Sequence, residues 1–292
     1  MKTALVLGGT RFFGVNLVEA LLNKGVAVTI GTRQNSGDPF GNAVERIQLD
    51  RFDLASMQTA VKGRTWDVVF DQLCYSSVDA EVAVIALEGK VKRYVFTSTL
   101  SVYDDGGEQT EERFDSYSYT LKMEARDNVT YQEGKRQAEA YFYQKTSMPV
   151  VAMRIPIVMG ETDYTERLLH YVTCIKNDKP IYLPNPNAEM CFIHQKEAGD
   201  FLAWAGEQSF TGPINASANG QIAMKTLMGL IGENTGGHVH ITSEDQTLES
   251  PYGISKTWSL SNEKAAKLGY KFSNLMDWLP DLIHALQQSD NT

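Results

Sequence analysis

The start of the chain constrains its fold most: Thr3-Ala4-Leu5-Val6-Leu7 runs into Gly8-Gly9-Thr10-Arg11-Phe12-Phe13-Gly14 and then Val15-Asn16-Leu17-Val18. The first five residues read as a short strand, the glycines punctuate it, and the apolar spacing after Gly14 is helical. Strand, glycine turn and helix in that order commit the chain to a parallel βαβ unit with a right-handed crossover. The alternation then repeats. Strands are expected at 26–30, 46–49, 67–70, 93–97 and 150–155, and helices at 13–23, 54–62, 77–87 and 130–145. The pattern predicts an α/β fold, a doubly wound parallel sheet with helices on both faces. The polar stretch 104–128 reads as a long surface excursion and is expected to act as a flap, because loops of that length are uncommon without a function.

Composition narrows the function. The chain has 292 residues, 42% of them hydrophobic and 22% charged, which is ordinary globular usage and excludes a disordered or collagenous chain. Its net charge of −9 disfavours generic nucleic-acid binding, which draws on clustered Lys and Arg. The longest apolar candidate for a membrane span, 149–159, is interrupted by Arg154 and Pro156. The direct entry into a strand also predicts no secretory leader. Cys74, Cys174 and Cys191 form no CxxC pair and are expected as reduced, buried thiols in a cytoplasmic protein. The five histidines have no acidic or thiol partners at ligand spacing, so no metal site is expected; His194 reads as a structural histidine at a strand end.

A glycine turn opening a helix is a phosphate cradle: the glycines admit a pyrophosphate close to the backbone, and the free N–H groups carry partial positive charge. The candidate cofactor contacts there are Gly8, Thr10, Arg11, Phe12, Phe13 and Gly14. The second strand ends in Thr32-Arg33, with no acid between Glu19 and Asp38. An adenosine 2′-hydroxyl is met by a carboxylate at this point, a 2′-phosphate by arginine and hydroxyl donors. Arg11, Thr32 and Arg33 therefore favour NADP(H) over NAD(H). Asp50 and Arg51, after the third strand, are expected beside the adenine; Leu73 after the fourth and Thr97 on the fifth complete the edge.

The chemistry falls on Tyr131-x-x-x-Lys135, which opens a helix. Residues four apart share a helix face, so the ammonium favours negative charge on the phenol oxygen. Such a tyrosine passes a proton to or from an alcohol or carbonyl oxygen while hydride moves on a nicotinamide. Tyr141-x-x-x-Lys145 repeats the spacing, but Tyr131 and Lys135 follow a strand that ends in three hydroxyls, Thr97-Ser98-Thr99.

The glycine turn, Phe96-Thr97-Ser98-Thr99 with Val102-Tyr103, Tyr131-x-x-x-Lys135 and Arg154-Ile155-Pro156 together resemble the extended short-chain dehydrogenase/reductase superfamily. More narrowly, they resemble its NAD-dependent epimerase/dehydratase group. Phe192-Ile193-His194-Gln195-Lys196-Glu197, Leu260-Ser261-Asn262-Glu263-Lys264-Ala265 and Leu268-Gly269-Tyr270 extend the likeness over nearly the whole chain. The resemblance implies a Rossmann-type domain over 1–160, with 191–216 returning to it. A smaller substrate-binding lobe would comprise 161–190 and 217–292. It implies Thr99, Tyr131 and Lys135 as catalytic residues, Thr99 orienting the substrate oxygen and Lys135 also holding the nicotinamide ribose.

Three departures shape the expectation. The GGTRFFG form is closest to an atypical subgroup that includes chloroplast stem-loop-binding proteins. Met190 and Lys256 stand where sugar-nucleotide enzymes of the group carry or neighbour their diphosphate-gripping arginines. Leu100-Ser101 replaces the acidic pair that dehydratases place after the hydroxyl residue. The expected function is an NADP(H)-dependent oxidoreductase or epimerase acting on an alcohol or carbonyl in a sugar-like molecule. The alternative is a non-catalytic dinucleotide-binding or RNA-associated relative. The expected partner is a small-molecule substrate, with a homodimer admitted and neither membrane nor nucleic acid involved.

Overall fold

The computed structural model describes residues 1–34 and 37–289. They form two compact units, one of residues 1–103, 111–155 and 196–216, the other of 104–110, 156–195 and the chain from 217 onward.

The first unit is built on seven parallel strands. Five come in the N-terminal alternation: β1 (Thr3–Leu7), β2 (Ala27–Thr32), β3 (Glu45–Gln48), β4 (Trp66–Asp71) and β5 (Val91–Thr99). Strands Val150–Ile155 and Gly212–Asn215 complete the order Gly212–Asn215, Val150–Ile155, β5, β4, β1, β2, β3. The reversal of strand order beside β1 makes the sheet doubly wound, and ligands of such sheets bind outside the carboxyl ends of the strands at that switch. The helices are α1 (Phe13–Asn23), α2 (Leu54–Ala60), α3 (Ser77–Leu87) and α4 (Tyr131–Lys145), with Gln195–Glu207 later.

Alternation along each strand assigns the layers. Leu5, Leu7, Tyr94 and Phe96 share a buried cluster with Ala80, Ala83 and Leu87 of α3 and Ala138 and Phe142 of α4. The Tyr94 and Phe96 rings lie 5.0 and 5.3 Å from that of Phe142. On the other face, a Cβ on Gly9 would meet Val6 and Val18, and one on Gly206 would meet Phe70. Both faces are thus covered, which is why the central strands read as nearly continuous apolar runs. Each such side chain contributes roughly 1.5–3 kcal/mol by leaving water.

The second unit has a four-stranded sheet, Ile222–Ala223, Glu189–Met190, Trp258–Leu260 and Gly106–Gln109, and two parallel pairs, Ile157–Met159 with Phe192–His194 and Ile181–Tyr182 with Ile241–Thr242. Tyr171, Phe192, Tyr252, Leu279 and Ile283 lie in its core. Residues 104–110, 156–160 and 191–195, expected with the first unit, belong here, because their strands pair within this unit. Residues 290–292 of the expected lobe lie outside the described residues.

The stretch 104–128, expected to act as a flap, is anchored at several points. Residues 106–109 form a strand against Trp258–Leu260. Further on, Arg154 donates to the carbonyls of Glu111 and Phe114, at 2.9 and 3.0 Å, and Ser77 Oγ to that of Lys122 at 2.7 Å. Among the described residues no helix is long and apolar enough to cross a membrane.

Candidate active site

The glycine turn folds back on itself so tightly that side chains are excluded. Gly8 has φ +91°, and a Cβ on Gly14 would come within 2.2 Å of the Gly8 carbonyl oxygen. Phe12, which precedes the helix, is held at φ 51°, a region costly for a side chain of its size. Helices α2, α3 and α4 each have a side-chain cap: Asp53 accepts from Ser56 N, Ser76 from Asp79 N and Thr130 from Glu133 N. Helix α1 has no side-chain cap and no acid in its first turn. Its first turn carries the positive end of the helix dipole, with Gly14 N and Val15 N donating to Arg11 O and Phe12 O at 3.0 and 2.9 Å. Beside it, Gln72 Nε2 is buried without a protein partner.

At the end of β2, Arg33 is exposed beside half-buried Thr32, and Arg11 is exposed on the turn. Neither arginine has an ion-pair partner among the described residues. The carboxylates of the chain between β2 and α2 are already engaged. Asp38 takes Arg46 at 2.6 and 2.8 Å, and that guanidinium holds its carboxyl below the usual range. Glu45 takes Arg64 at 2.7 Å and is lowered in the same way. Asp50, half-buried, accepts from Phe52 N at 2.9 Å.

Arg51, expected beside the adenine, is instead seated in the interior. Its Nε donates to Asp71 Oδ2 at 2.7 Å and its Nη1 to the Asp79 carbonyl at 3.0 Å. Burial opposes its charge, but the Asp71 carboxylate outweighs burial and raises its pKa. Asp71 also accepts from Tyr94 OH, at 2.5 Å, and from Leu73 N, at 2.9 Å. This pair fixes the loop after β4, which carries Leu73 and Cys74. Burial pushes the Cys74 thiol up to about 12, so it stays protonated.

β5 runs to Thr99, so the three hydroxyls lie within the strand and take different environments. Ser98 faces α4 and donates to Glu139 Oε1. Thr97 and Thr99 alternate with it; Thr97 Oγ1 is buried without a partner, whereas Thr99 Oγ1 accepts from Ser101 N at 3.1 Å and donates to Ser101 Oγ at 3.3 Å. Lys135 is 1% exposed, and its Nζ donates at 2.8 Å to both Thr97 O and Cys74 O. The ammonium lies 4.5, 4.9 and 5.8 Å from the ring centres of Tyr75, Phe96 and Tyr131. Tyr131, 54% exposed, is open to a ligand. Lys135 thus ties together the end of β5, the loop after β4 and the start of α4. The rival Tyr141 is buried near the other end of α4, its OH 3.5 Å from Glu81 Oε1.

Two residues behind the site had no role assigned from sequence, although Arg154 belongs to the motif Arg154-Ile155-Pro156. Glu139, four residues after Lys135, meets Arg154 at 2.6 Å with both side chains fully buried. Arg154 also takes Tyr103 OH at 2.8 Å and Ser116 Oγ at 3.0 Å. The signal for Arg154 was a charged residue within an otherwise apolar strand; that for Glu139 was its place one turn after Lys135 on the same helix. Gln72 was missed as well; its signal was a polar residue directly after a buried strand.

In the second unit, Met190 is a core residue paired with Ile222, and exposed Lys256 lies 3.6 Å from Asp105. His194 ends its strand 3.7 Å from Glu161 and against the Trp278 ring.

A family model described as the NAD dependent epimerase/dehydratase family matches residues 4–219. The chloroplast stem-loop binding protein of 41 kDa b from Arabidopsis thaliana is 23% identical over 310 residues, spanning 99% of this chain and 79% of that protein. Cinnamoyl-CoA reductase 2 from Medicago truncatula is 24% identical over 324 residues, spanning 98% and 92%. Among solved structures, a dTDP-glucose 4,6-dehydratase from Bacillus anthracis, in complex with NAD, aligns with a TM-score of 0.78 at 16% identity, over 100% of this chain and 98% of that one. At that identity the likeness speaks for the fold alone.

Proposed function

The chain belongs to the NAD-dependent epimerase/dehydratase family, and from that premise we propose an NADP(H)-dependent oxidoreductase or epimerase of the extended short-chain type, acting on an alcohol or carbonyl in a sugar-like molecule. The observation that carries the catalytic reading is Lys135. A buried ammonium with two of its three N–H groups on Cys74 O and Thr97 O has little freedom to move. It holds a fixed positive charge on the face of α4 that carries Tyr131. Tyr131 takes the proton of a substrate hydroxyl, or returns one to a carbonyl oxygen. Thr99 hydrogen-bonds the same oxygen and orients it. A nicotinamide bound along the cradle supplies the hydride acceptor or donor.

Cofactor choice is read from the engaged carboxylates. With Asp38 on Arg46 and Glu45 on Arg64, Arg11, Thr32 and Arg33 remain for an adenosine 2′-phosphate. Each charge-assisted contact is worth roughly 1.5–3 kcal/mol when shielded and less when exposed. Substrate recognition is assigned to the second unit. The apolar setting of Met190 and the engagement of Lys256 with Asp105 favour a substrate other than a nucleoside-diphosphate sugar.

Calorimetric titration with NADP(H) and NAD(H) tests the cofactor assignment: NADP(H) binds more tightly, and Arg33→Ala removes much of the difference. Equal or better affinity for NAD(H) overturns it. Turnover is then sought with polyols, sugars and small ketones by nicotinamide absorbance, alongside binding of a UDP-sugar. Micromolar UDP-sugar binding overturns the substrate assignment.

A further inference from the structure

We propose that Cys174 is a nucleophilic thiol at a second ligand site, exchanging with small disulfides that carry ammonium and carboxylate groups. The site lies wholly within the second unit and does not depend on the dinucleotide reading.

Helix α5 (Arg167–Lys176) buries Leu168, Tyr171, Val172 and Ile175. Its other face borders a cleft of about 670 Å³, lined by Cys174, His170, Glu166, Lys179 and Glu249 among others. Cys174, expected among the buried thiols, is only partly buried, unlike Cys74 and Cys191. Four residues apart, His170 and Cys174 share the cleft face, with Nε2 3.7 Å from Sγ. The other ring nitrogen, Nδ1, lies 3.8 Å from Glu249 Oε2. An edge-on contact with the Tyr171 ring, centroids 5.2 Å apart, orients the imidazole. The chain around Glu249 is tied down beside it: Ser250 Oγ donates to Tyr182 O at 2.5 Å, and Tyr252 N to Tyr171 OH at 2.8 Å. Thiol, imidazole and carboxylate thus follow one another in the order of a nucleophile, its base and the group that orients the base.

Burial pushes the Cys174 thiol up, with the Lys179 ammonium working against that and Glu249 adding to it. The resting group is therefore S–H, and attack needs a base at the sulfur. The Glu249 carboxylate favours the imidazole proton on Nδ1, which leaves Nε2 to accept. Nε2 takes the proton as Sγ attacks one sulfur of the disulfide. The new S–S bond forms, the old one breaks, and the departing thiolate takes the proton back from Nε2. One thiol and one disulfide give one mixed disulfide and one thiol, so no further oxidant is required. The remaining charges select the disulfide. Glu166 and Glu249 offer carboxylates to an ammonium, and exposed Lys179 offers its ammonium to a carboxylate.

The test incubates the full chain with cystine and, separately, with 2-hydroxyethyl disulfide, which lacks both charged groups. Adducts are followed by intact-mass spectrometry and located by peptide mapping. The wild-type protein should take one half-cystine, at Cys174, and Cys174→Ser should take none. His170→Asn and His170→Gln should each slow reaction with either disulfide about tenfold, through loss of the base at the sulfur. Lys179→Met should lower the ratio of the cystine rate to the hydroxyethyl rate about fivefold, the size expected of an exposed charge pair. Cys74 and Cys191 should stay unmodified in every variant, which reports that the fold is intact. Adducts on Cys74 or Cys191 ahead of Cys174 overturn the inference. So do wild-type rates in both His170 variants, or a rate ratio unmoved by Lys179→Met.

Discussion

Tyr131 and Lys135 have opposite surroundings that suit different tasks. Lys135 is enclosed and bonded to two carbonyls, while Tyr131 is half-exposed and open to exchange a proton. Tyr131→Phe removes the hydroxyl but keeps the ring, so turnover on an identified substrate should fall ~10²–10⁴-fold with dinucleotide affinity nearly unchanged. Wild-type turnover in that variant sinks the assignment. Tyr141→Phe is the control and should leave activity near wild type, because that side chain is buried beside Glu81 ~15 Å along the helix at 1.5 Å per residue. The spacing of Tyr131 and Lys135 was legible in the sequence because helical periodicity is local. The carbonyls that hold Lys135 were not, since they come from residues 38 and 61 positions away.

Among the elements, β1, α1, α3 and Val150–Ile155 begin and end where the apolar pattern places them, because glycine turns, a serine cap and continuous apolar runs mark their limits locally. β5 extends beyond its expected bounds, through Ser98 and Thr99, because both continue to pair with Val150–Ile155, at Arg154 and Ile155. The stretch 111–116 shows how much depends on one distant partner. Arg154 holds it through two carbonyls and Ser116, and Glu139 balances the charge. Burial works against the Arg154 charge, yet the adjacent Glu139 carboxylate keeps its pKa above the ordinary arginine range. Glu139→Gln leaves that guanidinium uncompensated, and breaking a buried pair in this way costs roughly 3–5 kcal/mol. Urea denaturation should show a lowered midpoint, and limited proteolysis should cut within 111–116 earlier than in wild type. An unchanged midpoint removes Glu139 from this role.

For the whole molecule, acid stability provides a further test of the sheet. Asp67 is pulled down to about 2, first by the hydrogen bond from Lys92 and then by the N–H of Lys2, with Thr3 N adding a smaller effect. It joins the starts of β1, β4 and β5. A carboxyl depressed on folding stabilises the folded state above its unfolded value of 3.8, and that contribution is lost as pH falls towards 2. Asp67→Asn should therefore lower Tm at pH 5, and its difference from wild type should shrink between pH 4 and pH 2. A constant difference across that range excludes the carboxylate as the cause. The sequence by itself determined the α/β class, the glycine turn that opens α1 and the helical placement of Tyr131 and Lys135, all properties of contiguous residues whose periodicity and glycine content act locally. Tertiary structure alone decided the fate of the charges and amides: Arg51 went to Asp71, 20 residues away, Arg154 to Glu139, and Gln72 to the cradle with its donor unmatched. The energy of a buried polar group depends on what the fold brings against it, and that partner cannot be read from the group's own neighbours in the chain.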